Sequence, residues 1–198
     1  ALNSSNSFVA KKRFQQYPLA RAEKFNKRIA FAINAVNNPV EFNPKNLGPS
    51  INSEYNEYWP SLTLDESKII FTVMLPKDLS KPADMNNVQE DFFISTKNDS
   101  GFWNPRESAG SPPNTEKNEG AQSFSADGRY LFFTACDRME GFGKCDIYYS
   151  VFTANKWGNA INLGSAVNTG YSDKHPSISS DGKTLYFSSQ GHSSMGGH

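Results

Sequence analysis

Two textures divide the chain. Before residue 40 the apolar positions follow a helical period. Phe25, Ile29, Ala32 and Val36 fall at i, i+4, i+7 and i+11, Ile33 widens the stripe, and Lys24, Lys27 and Arg28 lie off it. Pro18 suits a first turn and Pro39 forbids continuation, so the spacing predicts a helix between them. A single amphipathic helix cannot bury its own stripe and needs a neighbour. Phe8, Phe14 and Tyr17 fit the tail of a preceding helix.

From Asn43 onward Pro, Gly, Asn and Ser become frequent and the apolar residues shift to period two. Ser123-Phe124-Ser125 and Tyr130-Leu131-Phe132-Phe133 surround Ala126-Asp127-Gly128-Arg129. Ser177-Ile178-Ser179 and Thr184-Leu185-Tyr186-Phe187 surround Ser180-Asp181-Gly182-Lys183 in the same way. Asp-Gly between two such runs predicts a hairpin, because glycine takes a positive φ without a Cβ penalty. Ser61-Leu62-Thr63 and Ile69-Ile70-Phe71-Thr72 flank Leu64-Asp65-Glu66-Ser67, a hairpin without its glycine. A turn of another type, or a strained one, is expected there.

These hairpins are internal repeats. Asp65, Asp127 and Asp181 are separated by 62 and then 54 residues, and Glu57, Glu119 and Asp173 keep the same separations eight residues earlier. Trp103 and Trp157 are again 54 apart, and Asp91-Phe92-Phe93-Ile94-Ser95 matches Asp146-Ile147-Tyr148-Tyr149-Ser150 at 55. Asn46-Leu47-Gly48 through Tyr58-Trp59-Pro60 matches Asn162-Leu163-Gly164 through Lys174-His175-Pro176 at 116. Four short strands per unit of roughly 50 residues is the sequence signature of a β-propeller blade. The expected fold is therefore mainly β: a partial propeller of four-stranded antiparallel blades. Its blades fall at about 56–105, 118–160 and 172–198, the last incomplete, and the end of a helical region precedes them over residues 1–40.

Composition narrows the function. The 198 residues carry 20 Lys+Arg and 20 Asp+Glu, and this neutrality argues against a dedicated nucleic-acid binder. No apolar run approaches the roughly 18 residues of a spanning helix. The charge is uneven: residues 1–40 hold seven bases and one acid, which leaves 13 bases against 19 acids in the remainder. A basic helical segment thus precedes an acidic body. Its bases form a solvated face, or dock on an acidic partner or on that body. Without an initiator Met or a signal peptide, and ending at Gly-Gly-His198, the sequence reads as a piece of a longer protein.

The strings from Glu119 to Phe133 and from Asp173 to Phe187 resemble the PD40 (WD40-like, TolB-type) propeller repeat. The run Asn38-Pro39-Val40-Glu41-Phe42-Asn43-Pro44, then Asn46-Leu47-Gly48-Pro49 and Glu57-Tyr58-Trp59-Pro60-Ser61-Leu62, resembles a junction between tetratricopeptide (TPR) helices and such a propeller. That junction is found in OmpA-family outer-membrane lipoproteins of Bacteroidota. The resemblance implies a TPR-like helical array before the propeller. It also implies a periplasmic location at the outer membrane, and outer-membrane proteins of a type IX secretion or gliding complex as partners. Peptidoglycan would be bound only through an OmpA-like domain absent from this chain.

Cys136 and Cys145 flank the loop between the second and third strands of a blade. They suit a disulfide in an oxidising compartment, contributing about 2–3 kcal/mol for so short a loop, or else two free thiols. The periplasmic resemblance favours the disulfide. Without a paired set of histidines the cysteines give little support for zinc. His175 stands where Trp59 and Gln122 stand in the sister repeats, a tolerant structural position; His192 and His198 lie in or beside a Gly/Ser-rich loop. No Gly-x-Ser-x-Gly elbow and no phosphate-binding glycine loop is present. Repetition assigns Glu57, Asp65, Asp91, Glu119, Asp127, Asp146, Asp173 and Asp181 to the scaffold, capping loop amides or pairing between blades. Trp59, Trp103 and Trp157 could line a sugar-binding surface, but recurrence of the last two favours packing.

The expectation is a non-enzymatic scaffold with no catalytic residue, cofactor or metal, its partners meeting the inserts Leu75 to Gln89 and Asp137 to Lys144. Two alternatives are a propeller that binds carbohydrate or peptidoglycan fragments, and the accessory propeller of a serine peptidase.

Overall fold

A computed structural model describes residues 16–78, 80, 81 and 87–192. The readings placed on Phe8 and Phe14, on the middle of the 75–89 insert and on His198 fall outside these residues. The chain divides into two units, Ala1–Asn46 and Leu47–His198, a boundary six residues beyond the expected one.

In the first unit a single described helix, α1, spans Gln16–Asn37. The Asn38 backbone N–H donates to Asn34 O at 2.9 Å and its side chain donates to Asn34 O and Oδ1, closing the last turn just before Pro39. The stripe of the helix is not buried: Phe25, Ile33 and Val36 are 52, 46 and 79% exposed, and Phe31, off the stripe, is 73% exposed.

The second unit is mainly β, made of antiparallel sheets in chain order. The first contains β1 (Asn56–Leu62), β2 (Lys68–Pro76), β3 (Val88–Thr96) and β4 (Glu107–Ser108), hydrogen-bonded in that order. The run of β2 is apolar on both faces because both faces are covered. Ile69, Phe71 and Val73 pack with Ile51 on one side; Ile70 joins Phe92, Phe124, Leu131, Phe133 and Tyr148 on the other. That second layer is shared with the next sheet, and Phe92 meets Phe133 edge to face at 5.3 Å.

The second sheet contains β5 (Glu119–Phe124), β6 (Tyr130–Cys136), β7 (Cys145–Thr153), β8 (Lys156–Trp157) and β9 (Ile161–Asn162). β8 and β9 both pair with β7, so they are one interrupted fourth strand. Ile161 and Asn162 oppose Tyr149 and Tyr148 just as Glu107 and Ser108 oppose Ile94 and Phe93. The fourth strands therefore end at Ser108 and Asn162, a few residues past the limits expected for the blades. The third sheet shows β10 (Asp173–Ile178) and β11 (Leu185–Ser189) among the described residues.

The sheets repeat in geometry as well as sequence. Each first strand is bulged, between Tyr58/Ser61, Gly120/Ser123 and Lys174/Ser177. The bulge puts Trp59, Ala121 and His175 in the left-handed region, at φ of 56, 52 and 58°. The second-sheet counterpart of Trp59 and His175 is thus Ala121, not Gln122. Beyond the bulge, an amide on the open edge of the strand reaches the preceding sheet. Phe124 N–H donates to Ser61 Oγ at 3.0 Å, and Ile178 N–H, 54 residues later, donates to Ser123 Oγ at 3.2 Å. The same contact at the same register joins sheet one to two and sheet two to three.

The first hairpin turn is not of another type. Glu66 takes φ 55° where Gly128 and Gly182 take 66 and 70°, and the same backbone bond closes all three turns. A non-glycine residue there costs about 1–2 kcal/mol.

Candidate functional site

The repeated acids hold the segments between sheets. Gly48, Gly110 and Gly164 have φ of +83, +69 and +75°, and each carbonyl accepts from an asparagine amide four residues on: Asn52, Asn114 and Asn168. The hydroxyl residue that follows is gripped by the acid. Ser53, Thr115 and Thr169 each donate a backbone N–H and a hydroxyl to Glu57, Glu119 and Asp173 respectively. Two of these acids also meet an arginine. Arg106 reaches Glu57 at 2.5 Å and Arg138 reaches Glu119 at 2.9 Å, the latter pair almost fully buried. Burial pushes the Glu119 carboxyl up against the opposing effect of Thr115 and the Arg138 charge.

Asn114 and Asn168 clasp the third strands. Phe92 N–H donates to Asn114 Oδ1 at 2.8 Å and Asn114 Nδ2 donates to Phe92 O at 3.0 Å; Asn168 does the same to Ile147 at 2.8 and 2.9 Å. These two residues are missing from the sequence reading, although they too stand 54 apart.

The turn aspartates are surface residues. Asp65, Asp127 and Asp181 accept from Thr63, Ser125 and Ser179 hydroxyls and from amides two residues on. These bonds hold their carboxyls below the ordinary range, that of Asp65 at about 2. Asp91 is half-buried, its carboxyl raised by burial, with Gln89 Nε2 at 3.0 Å. Asp146 is buried and accepts from the amides of Phe142 and Gly143 and from Asn162 Nδ2. It thereby fixes the loop that the Cys136–Cys145 disulfide closes. At the tip of that loop Met139 is fully exposed and Phe142 51% exposed.

Trp157 is buried, stacked on Phe124 at 6.0 Å, and Trp103 packs on the cluster around Phe71 beneath the Lys97 ammonium. His192 Nε2 lies 2.8 Å from Val167 O. Among the described residues no group of three His, Cys, Asp or Glu is placed to hold a metal ion.

A cavity of about 230 Å³ gathers residues from all three sheets. Its walls come from two consecutive slots of each first strand: Tyr58-Trp59, Gly120-Ala121 and Lys174-His175. By the 62- and 54-residue spacing these are the same slots in one scaffold, filled with different chemistry. Glu90, Asn118, Thr134 and Cys136 complete the lining. A smaller cavity of about 210 Å³ follows one residue further along the strands, at Pro60, Gln122 and Pro176. Trp59 and His175 meet edge to face at 4.5 Å and line both. Tyr58 OH donates to Glu90 Oε1, and burial together with that carboxylate pushes the phenol pKa up, so it stays a donor. Burial, and then the Lys174 charge, lowers the His175 pKa, leaving the ring neutral at pH 7. Cys136, at the start of the disulfide loop, borders the cavity.

No protein-family model matches the chain, and no curated protein matches it. Among solved structures it is similar to the crystal structure of TolB from Acinetobacter baumannii. The identity is 17% and the TM-score 0.42, over 71% of this chain and 29% of that one. The chain spans less than a third of that structure's length, and a likeness this weak carries no argument.

Proposed function

We propose that residues 41–198 are part of a β-propeller that serves as a non-enzymatic protein-interaction module. The observation that carries this reading is the repeated interlock. The amide of one first strand bonds the serine of the previous one at Phe124–Ser61 and again at Ile178–Ser123. Applying one spatial step twice is how blades come to surround an axis, with the bulged strands innermost. Side chains then vary at loops and inner slots without disturbing the sheets.

The disulfide supports an oxidising compartment, and with the sequence resemblance the reading becomes periplasmic. In it the chain is the TPR–propeller junction of an OmpA-family outer-membrane lipoprotein, most like PorE of type IX secretion. It links an outer-membrane complex to the cell wall through domains outside this sequence. Partner contact falls on the Asp137–Lys144 loop, which presents Met139 and Phe142 on a rigid base. The test is cross-linking in intact cells followed by gentle detergent extraction and mass spectrometry. Co-purification with outer-membrane proteins is expected, and recovery of the protein alone overturns the reading.

A further inference from the structure

The cavity between the first strands is a built site with opposite charges on opposing walls. One wall is Tyr58-Trp59 with Glu90; the other is Lys174-His175. The middle sheet supplies Gly120-Ala121 at the same slots, and these small residues leave the space between the walls open.

Glu90 is fixed on three sides. Tyr58 donates to its Oε1, Asn118 Oδ1 accepts its backbone N–H at 3.2 Å, and β2 pairs with it at Met74. A Cβ on Gly120 would stand 3.7 Å from Glu90 Oε2, so that second oxygen faces the Gly120 floor. Lys174 is held by the bulge of β10 and by Ser188 Oγ, which donates to its carbonyl at 3.1 Å. Among the described residues neither Glu90 nor Lys174 forms an ion pair, though both line one small cavity. Two unlike charges held apart across a half-open cleft leave a field between them that a dipolar ligand can answer, because the protein walls screen it less than bulk water does.

We infer that this cavity binds a small zwitterion, an α-amino acid or a dipeptide, its ammonium on Glu90 and its carboxylate on Lys174. The aromatic wall strengthens the ammonium end, because Tyr58 and Trp59 offer π faces beside the carboxylate. The neutral imidazole adds a hydrogen-bonding group without a second positive charge. At about 230 Å³ the cavity holds the liquid volume of about eight waters. That accommodates an amino acid or a dipeptide. The inference does not rest on the interaction reading, and it needs no further sheet.

The test is titration of the full-length protein with the dipeptide Ala-Ala, followed by calorimetry and by quenching of the Trp59 emission. Saturable binding is expected. N-acetyl-Ala-Ala and Ala-Ala amide, each lacking one charge, should bind about tenfold or more weakly. Glu90→Gln and Lys174→Met should each weaken Ala-Ala about tenfold, and Gly120→Val, which fills the floor, should abolish binding with both charges intact. Circular dichroism of each variant must match the parent protein. Trp59→Phe should lose the quenching signal and keep the heat. Absence of saturation by about 10 mM overturns the inference. So does equal binding of both capped dipeptides, or unchanged affinity in both charge variants with native spectra.

Discussion

Removing the side chain of Asn168 should open one strand locally. Asn168 is 1% exposed and Ile147 is fully buried. Its amide group accepts from Ile147 N–H at 2.8 Å and donates to Ile147 O at 2.9 Å and to Asn162 Oδ1 at 2.8 Å. Asn168→Ala does not leave all of these groups bare, because Ile147 O also accepts from Leu163 N–H at 3.1 Å. The Ile147 N–H, however, loses its acceptor in a space no larger than a truncated side chain. An orphaned buried donor costs about 1–3 kcal/mol, a factor of roughly 5 to 150 in the local opening equilibrium. Hydrogen exchange reads that equilibrium residue by residue. The Ile147 amide should exchange about 5 to 150 times faster in the variant, with amides of β2 and β3 unchanged. Asn168→Asp should cost more, since a carboxylate can take the Ile147 N–H but turns its second oxygen on two acceptors. Asn114→Ala should act alike on Phe92, whose carbonyl keeps Ala109 N–H at 2.9 Å. If Asn168→Ala folds and Ile147 retains its protection within about threefold, the clasp holds nothing and the reasoning fails.

Arg138→Met should destabilise the second sheet by about 3–5 kcal/mol, because it leaves the Glu119 carboxylate buried without its cation; urea melts checked by tryptophan emission measure it. Adding Glu119→Gln to that variant should recover part of the loss. Glu66→Gly should stabilise by up to about 1 kcal/mol, since the left-handed residue loses its Cβ and gives up only an exposed contact with Lys97. No gain in melting temperature would count against strain at that turn. Asp65, Asp127 and Asp181 have folded pKa values below their ordinary range, so their turns draw support above about pH 4 and lose it as pH falls towards the folded values. Carboxyl NMR shifts of the three should titrate together at the acid end, that of Asp65 near 2. A midpoint near 4 would remove the turn bonds from the account.

Periodicity exposed what the backbone repeats and little else. The hairpins, the acids at the start of each sheet and the 54-residue step were legible because each copy has the same backbone task. Asn52, Asn114 and Asn168 keep the same 62- and 54-residue steps, but asparagine is common in turns and this set does not stand out among the many others. Arg106 and Arg138 were hidden for a different reason. Each reaches an acid at one repeated position, yet Arg106 comes from the approach to β4 and Arg138 from the β6–β7 loop. A guanidinium needs only to arrive within reach, so its place in the chain is free. The slot equivalent to Trp59 was misread by one residue, although the 62- and 54-residue steps lead from Trp59 and from His175 to Ala121 and not to Gln122. The helix was readable from Pro18 and Pro39, while the cover over Phe25 and Val36 is a matter of partners that periodicity does not name.

Repetition also tells where chemistry can sit. A position filled alike in every copy is spoken for by the scaffold, as Asp65, Asp127 and Asp181 are by their turns. The first-strand slots differ: Tyr-Trp, Gly-Ala and Lys-His occupy backbone of one shape, with the same left-handed residue second in each pair. A left-handed non-glycine residue costs free energy, and three copies retain it with an indole, a methyl and an imidazole. The strain therefore belongs to the bulge, which precedes the amides that interlock the sheets. The side chains it turns inward are not needed for that interlock. They are the part of the first strands that can change freely, and in this chain they have separated an aromatic wall from a basic one.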